Sequence, residues 1–430
     1  MDELHVGLLN DSFPPQIDGV ANVVKNYADI LTREYGRATV VTPAYPHTDD
    51  SKYPYEVIRT VSFNTTKWVG YRTGYPFDEK TIDRVTQLPI DLLHVHCPFV
   101  TAMMGRILRE SLNVPLVFTY HTKYDIDVRN AVRLKLVQER ALRFIVDNIE
   151  ACDDVWVVSE GAGKNLRSIG YNGDYTVMRN GVDVPKGRAD DAAIEAVRKE
   201  YGLKKSVPTF LFVGRLMWYK GLRLILDACK KLKMQEKGFC MVFVGDGGDR
   251  DEVEAYAKEL ALGKSCIFTG AIHDRDKLRA IYGACDLFLF PSTFDTNGLV
   301  VREAAASGLA SVLIDDSCAA EGVEDGKTGI LIAETDDALA NTLLLATTHR
   351  SEMRNMGARA MDTLYYSWED AVRAAVERYR LILHDSAGVP KQHKWTPSGE
   401  FLLGISEMYE ANARMRAYPS WLTPKYKKRT

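Results

Sequence analysis

The sequence predicts an α/β protein built from two doubly wound parallel sheets, on three observations. Strand-like runs alternate with helical patterns along most of the 430 residues, the arrangement that gives parallel strands joined by crossover helices. The runs are short and apolar on both faces, as strands covered by helices on each side must be. They also fall into two series, separated at Asn180-Gly-Val-Asp-Val-Pro-Lys-Gly187, where Gly and Pro punctuate the chain and no element is evident until Asp191.

The first series is expected at His5–Leu9, Ala38–Thr42, Leu92–His96, Leu116–Tyr120, Asp154–Val158 and Tyr175–Met178, with helices that include Val20–Tyr35 and Arg129–Ile149. The second is expected at Thr209–Val213, Met241–Val244, Cys266–Thr269, Leu287–Phe290, Ser311–Ile314 and Gly329–Ile332. Helices near Leu222–Leu232, Asp251–Leu260, Arg275–Ala284 and Leu299–Ser307 separate these strands. Residues 384–430 differ: Pro390, Pro397, Pro419 and Pro424 interrupt them, one helical stretch remains near Gly399–Met415, and the tail ends Lys-Tyr-Lys-Lys-Arg-Thr430. That extension is expected to pack on the first domain or to contact a partner or a membrane.

Composition narrows the functional classes. With 46% hydrophobic and 26% charged residues the chain reads as an ordinary globular protein, long enough for two cores. A formal net charge of −3 argues against a nucleic-acid partner held by bulk charge. None of the seven cysteines forms a C-x-x-C pair, which suits buried thiols in a reducing compartment. The N-terminus enters a strand directly, without a signal-peptide pattern, and no apolar run approaches the ~18 residues of a membrane span. The expectation is a cytoplasmic protein, peripheral at the inner face of a membrane if it binds one.

The most informative stretch is Asp286-Leu-Phe-Leu-Phe-Pro-Ser-Thr-Phe-Asp-Thr-Asn-Gly-Leu-Val-Val-Arg-Glu-Ala-Ala-Ala-Ser-Gly308. A buried strand runs into a polar loop (Ser292 to Asn297) and then a helix closed by Gly308. The loop falls at the carboxyl edge of a parallel sheet, where open α/β folds bind ligands. The helix start, at Gly298, Leu299 and Val300, offers backbone N–H groups to a phosphate. Asp295 on the loop and Glu303 about one turn into the helix place one acid near sugar hydroxyls and the other near a ribose. Taken alone, Asp295 reads equally well as a helix cap and Glu303 as a solvated helix acid.

With these residues in view, the segment resembles the E-x(7)-E region of glycosyltransferase family 4, the retaining enzymes of the GT-B fold. Asp295 stands where the family usually has Glu, and aspartate there resembles the branch that glycosylates lipids. Val213-Gly-Arg-Leu-Met-Trp-Tyr-Lys-Gly221 is similar to the family's G-R-x-x-x-x-K-G segment, with Tyr219 in place of its usual Glu. The resemblance gives Arg215 and Lys220 to the donor pyrophosphate, where fixed cations stabilise the charge that builds on a departing diphosphate. Read on their own, these are two solvated surface cations. Leu9 to Asn22 is similar to the family's first-domain loop, D-x-x-x-P-x-x-x-G-V, with Gly19 and Val20 opening a helix whose amides can face a phosphate. Asp18 either caps that helix, contacts substrate, or does both.

His121, in Val117-Phe-Thr-Tyr-His-Thr-Lys123, matches the family's histidine near the donor sugar and the attacking acceptor, while His94 and His96 are weaker candidates. The spacing of the three suits no common zinc motif. Val244-Gly-Asp-Gly-Gly-Asp-Arg250 fails the dinucleotide fingerprint, since Arg250 stands at the third Gly position. The resemblance sets this turn beside the nucleotide pocket and puts Ile272 and His273 near the base. Asp125-Ile-Asp127 matches a metal-binding D-x-D by chance, ahead of a helix. Arg129, Arg133, Arg140 and Arg143 fall within about 80° on a helical wheel, with Ala131, Leu134, Ala141 and Ile145 opposite. That stripe reads as a solvated face or as a contact for anionic lipid.

The resemblance therefore implies two Rossmann-like domains facing each other across a cleft, at residues 1–185 and 186–366, with a helix at 367–383 returning to the first and an extension at 384–430. It implies hexosyl transfer from a nucleotide-diphosphate sugar, UDP-linked, to a lipid such as diacylglycerol or a glycolipid, with no cofactor and no metal. The alternatives are a soluble or polysaccharide acceptor, a sugar-nucleotide epimerase, or a non-catalytic sugar-nucleotide-binding protein.

Overall fold

The computed structural model describes residues 3–16, 18–66, 71–131 and 134–389. The strands are β1 (Leu4–Leu9), β2 (Gly36–Pro43), β3 (Glu56–Thr60), β4 (Ser62–Phe63), β5 (Thr73–Gly74), β6 (Leu92–Val95), β7 (Leu116–Tyr120), β8 (Asp154–Val157) and β9 (Thr176–Val177), then β10 (Thr209–Val213), β11 (Cys240–Val244), β12 (Cys266–Gly270), β13 (Leu287–Phe290), β14 (Ser311–Ile314) and β15 (Gly329–Ile332). Between them run α1 (Gly19–Ile30), α2 (Glu79–Thr86), α3 (Val100–Leu112), α4 (Tyr124–Ala131), α5 (Lys135–Glu150) and α6 (Glu160–Ser168) in the first half. The second half carries α7 (Asp191–Tyr201), α8 (Leu222–Met234), α9 (Arg250–Glu259), α10 (Arg275–Ala284), α11 (Leu299–Ala306), α12 (Asp336–Thr348), α13 (Arg350–Leu364) and α14 (Trp368–Asp385).

Two parallel sheets result, in the orders β3-β2-β1-β6-β7-β8-β9 and β12-β11-β10-β13-β14-β15. Each reverses direction once, between β1 and β6 and between β10 and β13, and the loops leaving such a switch point open a crevice. The second core closes around the rings of Phe210, Phe212, Phe243, Phe288 and Phe290, the strand residues that made those runs apolar on both faces. The first sheet is covered on one face by α1 and by α14, which returns from the far end of the chain. Trp368, Val372, Val376 and Tyr379 of α14 share a cluster with Val6, Leu8 and Trp156.

Several elements differ from the sequence expectation. The first helix begins at Gly19 and turns into a π-helical turn over Leu31–Tyr35. The expected strand at Tyr175–Met178 shortens to Thr176–Val177. The edge strand β3 was not expected, because Glu56 and Arg59 break its apolar run; an edge position tolerates such charges. The expected helix Arg129–Ile149 is two helices, with Leu134 extended at φ −84° and ψ 115° at the start of the second. The first packs Tyr124 and Val128 under the end of β7, and the second buries Ile145, Val146 and Ile149 in the same core. The extension beyond Val389 lies outside the described residues.

Candidate functional site

The loops that leave β10 and β13 meet at the second sheet's switch point. Gly221 ends the first of them at φ +79°, and a Cβ there would stand 2.4 Å from the Pro291 carbonyl oxygen. Glycine is thus what lets the two loops touch. The contact buries Lys220, in a single 3-10 turn at Trp218–Lys220, against the second loop. Its Nζ lies 2.5 Å from Asp295 Oδ1, and Ser292 Oγ donates to Asp295 Oδ2 at 2.7 Å. The rings of Tyr219, Phe290 and Phe294 surround the ammonium at 5.7–5.8 Å. Lys220 is therefore no solvated surface cation. The residues expected to serve the phosphate and the sugar form one ion pair in a partly desolvated, aromatic-walled corner, where charge interactions are stronger than in water. Arg215 stays exposed on the same loop.

The glycine turn after β11 locks onto this loop. A Cβ at Gly247 would meet the Leu216 carbonyl oxygen at 2.4 Å, and Leu216 N–H donates to Asp246 O at 3.0 Å. Its glycines answer to loop packing. Beyond β12, Ile272 is half-buried against the second core and His273 is exposed.

At the start of α11, Gly298 adopts φ +57° and no side chain caps the helix, so the first-turn amides at Leu299 and Val300 point onward without a side-chain acceptor. Glu303 is held below them. Tyr282 Oη donates to Glu303 Oε2 at 3.2 Å, and Arg275 Nη1 approaches Oε1 at 3.4 Å. Burial raises the Glu303 pKa, against the opposing pull of Arg275 and Tyr282. Arg275 also reaches Asp183, at 3.2 Å, on the segment joining the two halves. Neither Tyr282 nor Arg275 was singled out in the sequence, where a Tyr inside a helix pattern reads only as core.

Across the cleft, Asp18 caps α1 by accepting from Ala21 N–H at 2.7 Å, so its capping role is real. A Cβ on Gly19 would meet nothing within 4 Å, so packing does not demand glycine there. His121 follows β7 and is buried. Its carbonyl accepts from Thr296 Oγ1 at 2.5 Å, Ser159 Oγ donates to Thr296 O at 2.5 Å, and Lys123 Nζ donates to Thr293 O at 2.9 Å. The loop carrying Asp295 is thereby tied to the first sheet's edge, which brings Asp295 and Lys220 to the same side as His121. The tethers Ser159 and Lys123 carry no sequence signal, because they act only across the two halves.

His121 Nε2 lies 3.0 Å from His96 Nδ1, and the two rings stack at 5.3 Å. His94 is structural: its nitrogens bond Tyr379 Oη at 2.6 Å and Thr119 Oγ1 at 2.7 Å. Burial holds all three neutral, lowering His94 and His96 well below the ordinary value and His121 to about 3. The unfolded chain takes up protons on these rings near the usual 6.5, and the folded chain only at lower pH. Between those limits the unfolded state binds more protons, so stability falls as pH drops below about 6.5. Urea titrations should show a lower midpoint at about pH 5 than at about pH 7. Equal midpoints would contradict the neutral, buried histidines.

Other expectations are corrected. Asp125 lies inside α4, not ahead of a helix, with Arg129 at 3.2 Å and Asn165 Nδ2 donating to it at 3.0 Å. The four arginines do not share one helix: Arg129 is on α4, Arg140 and Arg143 are on α5, and Arg133 lies outside the described residues. Arg143 pairs with Asp147 at 3.2 Å. Leu134, expected on the face opposite the arginines, is 70% exposed, beside exposed Leu136 and Val137.

Comparison with known proteins agrees with this geometry. Residues 17–186 match the family described as Glycosyltransferase Family 4, and residues 193–363 match the one described as Glycosyl transferases group 1. The chain is 25% identical over 312 residues to an alpha-monoglucosyldiacylglycerol synthase of Streptococcus pneumoniae, covering 71% of this chain and 70% of that protein. It is 27% identical over 381 residues to the sulfoquinovosyl transferase SQD2 of Arabidopsis thaliana, covering 85% and 70%. Among solved structures, Anabaena Alr3699/HepE in complex with UDP superposes with a TM-score of 0.72 at 19% identity, over 88% of this chain and 100% of that one. With both halves matched in order and the two sheets facing one cleft, the chain belongs to glycosyltransferase family 4 and is a glycosyltransferase of the GT-B fold.

Proposed function

We propose that the enzyme transfers a hexose from a UDP-sugar, UDP-glucose or a close relative, to a hydroxyl of a lipid acceptor such as diacylglycerol or a glycolipid, with retention of configuration. The observation that carries this reading is the Lys220–Asp295 pair at the switch point, on a loop tied to the backbone of His121. Residues 186–366 are read as the donor domain and residues 1–185 as the acceptor domain, with residues 367–383 crossing between them. Lys220 and Arg215 take the pyrophosphate, joined by the amides of Gly298 to Val300 and, from the first domain, of Gly19 and Val20. Glu303 accepts from the ribose hydroxyls, the backbone near Ile272 meets the base, and Asp295 accepts from a sugar hydroxyl.

The bond between the anomeric carbon and the diphosphate oxygen breaks as the acceptor oxygen bonds to the same face of that carbon. The acceptor proton passes to the departing phosphate. Lys220 and Arg215 stabilise the charge left on the diphosphate more than they stabilise the bound donor, which is what accelerates the step. No metal ion is required by this reading, and the bridged cleft excludes water that would hydrolyse the donor.

The lipid acceptor is supported by the named activity of the diacylglycerol relative, and UDP by the Anabaena complex. Leu134, Leu136 and Val137 on the first half are exposed with Lys135 and Arg140 near them in the chain, a mixture suited to an anionic bilayer surface. Among the described residues no helix is long and apolar enough to cross a membrane, so attachment in this reading is peripheral, at the cytoplasmic face.

Thermal melting against UDP-, GDP- and ADP-sugars tests the donor site. A ligand that binds only the folded protein raises the melting temperature by an amount that grows with its affinity and concentration. The expected result is a rise with UDP-sugars that shrinks in Glu303→Ala, each protein compared with its own ligand-free melt. No rise with any nucleotide sugar would overturn the reading.

A further inference from the structure

We propose that His96 is a positioning residue that fixes the tautomer of His121, so that His121 turns Nδ1–H, a hydrogen-bond donor, toward the cleft. This rests on the reading of His121 as a group that faces the donor sugar. The two rings share one hydrogen bond, Nδ1 of His96 to Nε2 of His121 at 3.0 Å. Both imidazoles are buried, His96 at 1% exposure and His121 at 7%. A neutral pair can be joined in two ways, with either ring as the donor. The far nitrogen of His96, Nε2, decides between them.

That atom is buried and has no hydrogen-bond partner among the described residues. His94 packs against the His96 ring at 4.0 Å but has both its nitrogens committed to Tyr379 and Thr119. Tyr27 packs on the same ring at 5.7 Å. If His121 were the donor, His96 would carry its proton on Nε2, leaving a buried N–H without an acceptor. If His96 donates through Nδ1, its Nε2 is a bare lone pair instead. Orphaned buried N–H groups are the rarer and costlier of the two. The second arrangement leaves His121 with its Nε2 occupied as an acceptor and its proton on Nδ1. Its contribution is then a donated hydrogen bond to a sugar or phosphate oxygen, and it removes no proton from the acceptor.

Nitrogen-15 NMR of the full-length protein labelled at its nine histidines reads the tautomer directly, with His121→Asn identifying the signal. The expected result is a neutral His121 protonated at Nδ1, a preference lost in His96→Leu. A His121 protonated at Nε2 in the unsubstituted protein would overturn the proposal. Activity gives the second readout. Asparagine carries its Nδ2–H at the position of the histidine Nδ1, so His96→Asn should keep kcat within a few-fold. His96→Leu should lose about tenfold to a hundredfold in kcat, the worth of one oriented hydrogen bond, with the UDP-sugar melting shift retained. In a His121→Ala background, His96→Leu should change nothing further. Equal losses in the Asn and Leu variants, or an undiminished loss in that background, would mark His96 as merely structural. A fully active His121→Ala, beside an unsubstituted protein whose His121 carries its proton on Nδ1, would instead overturn the role given to His121 and leave the tautomer assignment standing.

Discussion

Replacing Lys220 with alanine lowers kcat/KM about a hundredfold to a thousandfold, the usual cost of removing one fixed positive group from the site where negative charge develops. The ammonium is pre-positioned by the Asp295 carboxylate, at 2.5 Å, and by three aromatic rings, so no reorganisation is needed when the diphosphate departs. Most of the loss should fall on kcat, because the charge grows during bond breaking. Stability should change less. Asp295 keeps its hydrogen bond from Ser292 and is 23% exposed, so water relieves the carboxylate left behind. Lys220→Arg should not rescue, because a planar fork does not fit a cage shaped around a compact ammonium. Asp295→Asn in the Lys220→Ala background should cost less than Asp295→Asn alone, as expected for two groups acting as one unit. A Lys220→Ala enzyme within a few-fold of the parent would contradict the assigned role.

Tyr379→Ala should destabilise the protein by about 3–5 kcal/mol, the range for emptying a large buried aromatic site. Tyr379 is fully buried on α14, stacks on Trp156 with ring centroids 5.2 Å apart, and bonds His94 Nδ1 at 2.6 Å. Its loss opens a cavity and strands a buried ring nitrogen. Tyr379→Phe removes only the hydroxyl and should cost about 1–3 kcal/mol for the unsatisfied group. Urea unfolding of the three proteins checks the order. A cost for Tyr379→Ala below that of Tyr379→Phe would mean that the returning helix does little to hold the first half.

Much of this was legible in the sequence for a physical reason. The second-half strands are apolar on both faces and carry aromatic pairs such as Phe288 and Phe290, so periodicity and length fix them closely. The strand–loop–helix at Leu287–Ala306 was readable with its two acids, because turn chemistry and helix starts are local. What was not legible depends on contacts distant in the chain. Glu56 and Arg59 hid an edge strand whose charges are tolerable only because one side faces water. Nothing in Asn130 to Lys135 announces a break, since both flanking segments have helical periodicity and no Gly or Pro marks the extended backbone at Leu134. Lys220 and Asp295 were assigned to different parts of a substrate, and their direct pairing required knowing that Gly221 seats one loop on Pro291 of the other. The histidine ladder was visible as three residues, but which two share a bond, and which one serves the crossing helix, follows only from the fold.

The most direct test of the central claim is the anomeric configuration of the product. The purified enzyme would be incubated with UDP-glucose and diacylglycerol in anionic vesicles, and the glycolipid examined by proton NMR. The account predicts a glucolipid whose anomeric proton has the small coupling of an α-glucoside, matching the donor. A β-glucoside, or UDP-glucose consumed only to free glucose, would contradict it.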